Sequence, residues 1–118
     1  MTLGEIHTFC LSLEGAYDRR PYGPQPLVYC AKDKKSFCCV YEDAEPLHLL
    51  MKCDPDEAEL LRAAYPAIKP GYHSNKRHWN SVYLDGTIPD GEVRRMIRNA
   101  YLLVCGRKKD VEPVWGRK

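Results

Sequence analysis

Residues 72–80 concentrate side chains that bind anions and flat rings. They read YHSNKRHWN and hold two histidines, two asparagines, two cations and one tryptophan. Cationic groups and amide donors suit phosphate oxygens, and asparagine amides also suit the edges of bases. The face of a tryptophan ring can stack on an unpaired base. This composition predicts a surface that contacts phosphates and bases.

The predicted contact residues also include two lysines that precede this segment in the chain. The full set is Lys52, Lys69, His73, Asn75, Lys76, Arg77, His78, Trp79 and Asn80. The two histidines would add positive charge below about pH 6.5. A second and smaller group of cations, on the first predicted hairpin turn, consists of Lys32, Lys34 and Lys35.

Several of these residues also have an interpretation that needs no ligand. Trp79 begins an apolar run, which is typical of a core residue. His73 and Asn75 could satisfy buried backbone groups in a tight loop. Lys76 and Arg77 could be the solvated tip of a hairpin, and the lysines of the first turn could protect a sheet edge. The sequence leaves both interpretations open.

Length and composition favour one globular domain. The chain has 118 residues, of which 44% are hydrophobic and 29% are charged, and a chain of this length can bury one hydrophobic core. No stretch approaches the roughly 18 apolar residues that span a bilayer. No basic region precedes an apolar run at the N-terminus, as a signal peptide would require. We therefore expect a cytoplasmic protein without a membrane partner, and a monomer is favoured.

Charge is distributed unevenly although the net charge is only +2. Acidic residues outnumber basic ones in residues 1–59, and the reverse holds in residues 60–118. This asymmetry favours an anionic partner for the second half, unless folding interleaves the halves and cancels the field. Arg94, Arg95 and Arg98 fall on the polar side of a predicted helix, which predicts that all three are exposed.

Neither the cysteines nor the known catalytic motifs indicate chemistry. The chain has six cysteines, without a C-x-x-C pair, and we predict reduced and mostly buried thiols. Cys38 and Cys39 would alternate between the faces of a strand, so we expect at most one of them in the core. No nucleophile elbow, P-loop or dinucleotide fingerprint is present. We predict no enzyme activity, no metal and no cofactor.

Apolar periodicity and chain breakers predict the order α-β-β-β-α-β-β-α. A capping box starts the first helix at Thr2, an Asp54-Pro55 pair starts the second, and the third begins near Asp90 and ends at Gly106. The predicted strands are 27–31, 36–41, 47–52, 72–73 and 79–84, and residues 18–26 are predicted as a loop. Short turns between successive strands predict an antiparallel sheet. The expected fold is α+β in two layers, with all helices on one face.

Residues 69–86, KPGYHSNKRHWNSVYLDG, resemble the signature region of the MmcQ/YjbR family, and so do LVYCAKDKKSFCCV and LMKCDPDEAELLRAAYP. The resemblance extends to about Arg107. It implies an MmcQ/YjbR-like domain over residues 1–107 and a loosely held tail over 108–118. The family is similar in fold to secretion-chaperone and frataxin-like sandwiches. Its members are described as DNA-binding proteins with a double wing of hairpins, which implies DNA as the partner.

Three functions remain open. The first is DNA binding through backbone contacts from the 69–80 hairpin, together with the 32–35 turn. The second is an adaptor domain that binds another protein, as the chaperone-like resemblance implies. The third is a pocket for a small anionic ligand, lined by His73, Asn75 and His78.

Overall fold

The computed structural model describes residues 1–72 and 74–106. In these ranges the elements are α1 (Leu3–Ser12), β1 (Tyr17–Arg19), β2 (Leu27–Ala31), β3 (Lys35–Tyr41), β4 (Leu47–Lys52), α2 (Pro55–Ala64), β5 (Ile68–Pro70), β6 (Trp79–Leu84) and α3 (Asp90–Val104). The strands form one sheet in the order β1-β2-β3-β4-β6-β5, and all neighbours are antiparallel. The predicted α+β class is confirmed.

The first two helices begin where their capping residues predict. The Thr2 hydroxyl accepts a hydrogen bond from the Glu5 amide at 3.2 Å, and the Thr2 amide donates to the Glu5 carboxylate at 2.8 Å. The Asp54 carboxylate accepts from the Glu57 amide at 3.2 Å, and Pro55 occupies the first turn of α2. These contacts satisfy amides that a helix start leaves without an intrahelical partner.

The main core lies between the sheet and the three helices. α3 packs against β3 and β4, α2 packs against β5 and β6, and α1 packs against β1. Large side chains from both layers are fully buried there: Ile6, Tyr29, Phe37, Leu49, Leu61, Val82 and Ile97. One side of the sheet therefore carries the helices, and the other side has none of them.

A second, smaller cluster covers the centre of the other side of the sheet. It contains the buried residues Val28, Cys30, Cys39 and Leu50, and the partly buried Tyr41 and Trp79 pack against it. Cys38, on the helix side, is 0% exposed and Cys39 is 7% exposed. The prediction that at most one of these two is core is therefore wrong, because both faces of β3 are covered. All six cysteines are free thiols.

Two short strands at the sheet edges differ from the prediction. β1 occupies Tyr17–Arg19, overlapping the segment predicted as a loop, and it pairs with β2. β5 lies at Ile68–Pro70 instead of 72–73. Both strands have only three residues, too few for apolar alternation to show. Pro70 fits because β5 is an edge strand, where a missing amide donor is tolerated.

Arg95 is buried, so the prediction of an exposed arginine is wrong for this residue. Its side chain is 4% exposed, and Nη1 lies 2.6 Å from the Glu57 carboxylate. Nε donates a short hydrogen bond to Glu92 on the same helix. Burial acts to lower the pKa of Arg95, but hydrogen bonds to Glu92 and Glu57 outweigh this effect, and the pKa is raised. The guanidinium thus ties α3 to α2 in the charged form.

The limits of the described ranges leave some predictions untested. Within residues 1–72 and 74–106, no helix has both the length and the apolar composition needed to cross a membrane. The predicted domain end at residue 107 and the predicted tail, 108–118, lie outside the described residues.

Candidate functional site

The strand register places a set of polar and aromatic residues on the side of the sheet without helices. We call this side the helix-free face. Its strand residues are Tyr17, Arg19, Val28, Cys30, Ser36, Cys39, Tyr41, His48, Leu50, Lys52, Lys69, Trp79, Ser81 and Tyr83. Three of these residues are cations and none is acidic, so the strands give this face a positive charge.

The two predicted groups of cations lie at the same end of the sheet. β3 begins at Lys35, β4 ends at Lys52 and β6 begins at Trp79. Lys52 pairs with Trp79 across antiparallel strands, and Cys38 pairs with Met51. The 32–35 turn and the 71–78 loop therefore leave the sheet from one end, with Lys52 between them.

Backbone and side-chain contacts fix the 71–78 loop. The Gly71 amide donates to the Trp79 carbonyl at 3.0 Å, and the Cys53 amide donates to the His78 carbonyl at 2.8 Å. From α2, Nη1 of Arg62 donates to the Lys76 carbonyl at 3.0 Å. The loop is thereby held against both β4 and α2.

Most of the predicted contact residues in this loop are accessible. In the loop Asn75, Lys76, Arg77 and His78 are exposed, and so is Lys69 on β5. The Asn75 carboxamide oxygen accepts from the Arg77 amide at 2.9 Å, so one function of Asn75 is to shape the turn. His73, which the sequence also nominates, lies outside the described residues.

Lys52 and Trp79 are partly buried and lie side by side where the 71–78 loop ends and β6 begins. The ammonium group of Lys52 is 5.8 Å from the centre of the Trp79 ring, within the range of a cation–π contact. Trp79 packs on the small cluster of the helix-free face. It is therefore part core residue and part surface, which combines the two interpretations that the sequence left open.

Asn80 lies on the helix side, apart from the other predicted residues. It is 2% exposed, and its carboxamide oxygen accepts from Arg62 Nη1 at 3.0 Å while Nδ2 donates to the Ala58 carbonyl at 3.4 Å. Asn80 therefore joins β6 to α2. Arg62 is not among the residues predicted from the sequence, because nothing in the pattern of a short helix indicates which distant loop an arginine will reach.

The residues of the second predicted group lie on the β2–β3 turn. Lys32, Lys34 and Lys35 are exposed. Asp33 and Lys34 adopt positive φ angles of 58° and 62°, the backbone of a tight hairpin turn. The turn projects its lysines away from the sheet.

A groove crosses the helix-free face between two loops. Tyr22 and Pro26 form one wall, and Ser74 and Asn75 form the other. Its floor consists of Ser36, Cys39, Tyr41, Leu50 and Trp79. The groove has a volume of about 360 Å³, which is within the range of small-ligand sites.

An ion-pair network holds the first wall in place. Arg20 Nη1 lies 2.6 Å from the Glu42 carboxylate and 2.5 Å from the Pro24 carbonyl. The Glu42 amide donates to the Gln25 carboxamide at 2.7 Å. Loop 20–26 is therefore tied to the end of β3. The breaker-rich sequence of this segment predicts a loop but does not indicate that the loop borders a groove.

Beside the groove, a histidine lies between two tyrosine rings. His48 stacks on Tyr41, with ring centres 4.8 Å apart, and on Tyr83, with ring centres 4.5 Å apart. Tyr72 approaches His48 edge-on at 5.9 Å. The Ser81 hydroxyl lies 2.9 Å from His48 Nε2 and also accepts from the Tyr72 amide at 2.9 Å. The cluster anchors the first residues of the 71–78 loop over the sheet.

Burial of His48 predicts a loss of stability in acid. The side chain is 6% exposed, and burial lowers its pKa below the usual 6.5. The unfolded chain then binds the proton first as pH falls, so the free energy of unfolding decreases below about pH 6.5. Urea denaturation between pH 7.5 and 5 measures this slope. His48→Gln should flatten it, whereas the exposed control His78→Gln should not, and equal slopes in both variants would contradict the assignment.

The thiols of the helix-free face have little nucleophilic character. Burial raises the pKa of Cys39 to about 12 and also raises that of Cys30. Because a protonated thiol is a poor nucleophile, Cys39 lines the groove as an apolar group. Within residues 1–72 and 74–106, no three His, Cys, Asp or Glu residues cluster in a way that could hold a metal ion.

The fold and the site define an α+β domain with helices on one side of an antiparallel sheet and a cationic, aromatic surface on the other. The YjbR family model matches residues 11–103, and the chain belongs to the YjbR family. It is 30% identical over 101 residues to the uncharacterized protein YjbR of Escherichia coli (strain K12), which covers 86% of this chain and 85% of that protein.

Solved structures have the same architecture. The crystal structure of protein DR2400 of Deinococcus radiodurans, described as a DUF419 domain, superposes with a TM-score of 0.85 and 31% identity, covering 94% of this chain and 92% of that one. A crystal structure from Pseudomonas syringae superposes with a TM-score of 0.75 and 22% identity, covering 87% of this chain and 98% of that one. At this identity the second likeness concerns the fold alone.

Proposed function

We propose that this protein binds nucleic acid, with DNA as the first ligand to test, through its helix-free face and the adjoining 71–78 loop. The observation that carries the proposal is the charge of this face. The strand residues on this face include the cations Arg19, Lys52 and Lys69 and no acidic residue, since Asp18 of β1 lies on the helix side with Tyr29. A polyanion is the partner that such a surface attracts.

The exposed loop residues extend this positive surface beyond the sheet. Lys76 and Arg77 are exposed, and their backbone is held by Arg62, which bonds the Lys76 carbonyl, and by Asn75, which bonds the Arg77 amide. A loop whose backbone is already held loses less conformational entropy when its side chains bind phosphates. Contacts of this kind position a nucleic acid without reading its sequence.

The β2–β3 turn lies at the same end of the sheet and adds a second group of exposed cations, Lys32, Lys34 and Lys35. Two groups that flank Lys52 would follow a phosphate backbone along this end of the domain. Asn80, buried on the helix side, is not part of the proposed surface, and His73 is outside the described residues.

The test is a fluorescence-anisotropy titration of labelled duplex and single-stranded DNA at several salt concentrations. We expect saturable binding that weakens as salt rises, in proportion to the phosphates neutralised. Lys76→Gln/Arg77→Gln should weaken binding and reduce the slope of log affinity against log salt by roughly 2, since each lost phosphate contact removes about 1.

The matched control is Arg94→Gln/Arg98→Gln, which removes the same charge from α3 on the helix side. It should leave both the affinity and the salt slope close to those of the unaltered protein. Equal losses in the two variants would mean that net charge, and not this surface, is responsible. Absence of binding at low salt would overturn the proposal and favour the adaptor alternative, to be pursued by partner capture.

A further inference from the structure

We infer that the groove on the helix-free face binds an unpaired nucleobase, so the preferred ligand is a single-stranded nucleic acid. This inference rests on the proposed function and names the part of the nucleic acid that the groove takes. The observations behind it are the shape of the groove, the aromatic rings around it and the positions of the nearest cations.

The groove offers rings as its floor and polar groups at its sides. Trp79 and Tyr41 lie on the floor, Tyr22 forms part of one wall, and Ser74 and Asn75 form the other. Base–aromatic stacking tolerates any base, since every base has a π-face. The serine hydroxyl and the asparagine amide supply hydrogen-bonding groups for a base edge.

Exposed aromatic rings cluster on this side of the molecule. Tyr22 is 76% exposed, Tyr72 is 50% exposed and Tyr17 is 39% exposed. All three lie on the helix-free face or in the loops that border it. Grouped apolar surface of this kind is typical of a binding site. Tyrosine and tryptophan suit such a site because they offer large contact areas with few rotatable bonds.

Cations near the groove indicate that its ligand is anionic as well as flat. Lys52 lies beside the Trp79 ring, with its ammonium 5.8 Å from the ring centre. Lys69 belongs to the same face, opposite Ser81. A nucleotide has a flat ring joined to a phosphate, and the face presents a stacking floor next to positive charges. These positive charges favour a nucleic acid over an apolar segment of another protein.

A duplex does not present the free base face that the groove would bind. In double-stranded DNA each base is stacked on its neighbours, and a protein reaches a base face only by unstacking the base, which costs free energy. A single strand presents its base faces at much lower cost. Phosphate contacts alone would not distinguish strands in this way, and strand preference is therefore the readout specific to the groove.

The experiment compares three short labelled ligands of equal length: a polythymidine strand, an abasic strand with the same phosphates, and a blunt duplex. We expect the base-bearing strand to bind about tenfold tighter than the abasic strand, as one or more stacked bases would produce. We expect it also to bind tighter than the duplex at the same salt.

Variants then assign the preference to the groove. Tyr22→Ala should remove most of the difference between the base-bearing and abasic strands, and Tyr22→Phe, which keeps the ring, should retain it. Because Tyr22 is highly exposed, neither change should affect folding. The matched control is Leu60→Ala, which removes an exposed apolar side chain, 54% exposed, from α2. In a Trp115→Phe background, quenching of the remaining tryptophan, Trp79, should accompany binding of the base-bearing strand.

The outcomes separate this inference from the proposed function. Equal affinity for base-bearing and abasic strands, or tighter binding of the duplex, would overturn the base-binding groove and leave phosphate binding standing. A preference that survives Tyr22→Ala without quenching of Trp79 would place the base elsewhere and also overturn it. Absence of binding to all three ligands at low salt would overturn the proposed function itself.

Discussion

Replacing Arg95 with methionine is expected to destabilise the protein by about 3–5 kcal/mol. The change removes the guanidinium that lies 2.6 Å from Glu57 and also bonds Glu92. Two carboxylates that are 4% and 0% exposed would then face each other without that cation. Breaking one member of a buried ion network costs far more than breaking a surface pair. Urea denaturation at neutral pH measures the loss.

The pH dependence of this loss identifies its cause. Without the arginine, two buried negative charges lie close together without that cation, and acid relieves their repulsion by neutralising them. The deficit should therefore shrink in acid. Arg98→Met, on the same helix but partly exposed, is the control and should cost less than about 1 kcal/mol. A deficit equal to that of the control would show that the network adds no stability.

Adding a single methyl group at Gly71 is expected to cost about 1–3 kcal/mol and to weaken nucleic-acid binding. A Cβ at this position would lie 2.8 Å from both the Cβ and the carbonyl oxygen of Trp79. Both are parts of the neighbouring strand that cannot rotate away, so the two backbones must separate. The bond from the Gly71 amide to the Trp79 carbonyl, now 3.0 Å, would lengthen, and the 71–78 loop would shift.

Gly91→Ala is the matched control for Gly71→Ala. It adds the same methyl group in the first turn of α3, where nothing lies within 4 Å, and it should be neutral or slightly stabilising because alanine favours a helix. Thermal denaturation compares the stabilities of the two variants, and anisotropy below their transition temperatures compares their binding. If Gly71→Ala matches Gly91→Ala in both measurements, the close approach of the two strands does not constrain the loop.

The elements that local chemistry dictates were predictable from the sequence. Strands 27–31, 47–52 and 79–84 agree with the prediction residue for residue, because each is an apolar run bounded by turn residues. The starts of α1 and α2 were predictable because capping needs only residues three positions apart. β1 and β5 were not predictable, since a three-residue edge strand is formed by its partner and not by its own pattern.

The candidate site was predictable in its residues but not in its shape. The exposed cations of the 69–77 segment follow from polar composition beside turn residues. The groove does not follow from the sequence, because it forms between loop 20–26 and the 71–78 loop. The strand order β1-β2-β3-β4-β6-β5 brings these two loops together. Alternation along β6 places Asn80 on the face opposite Trp79 and Ser81, but it does not indicate which of the two faces carries the helices.

The sequence by itself determined the family, the α+β class and the segment that holds the candidate contacts, because these depend on neighbours in the chain. Only the tertiary structure decided which cations share a face, that Arg95 belongs to a buried network and that Trp79 is at once core and surface. These properties depend on contacts between residues far apart in sequence, such as Arg95 with Glu57 or Arg62 with Asn80. Such contacts leave no periodic pattern in the chain, since packing of the layers alone creates them.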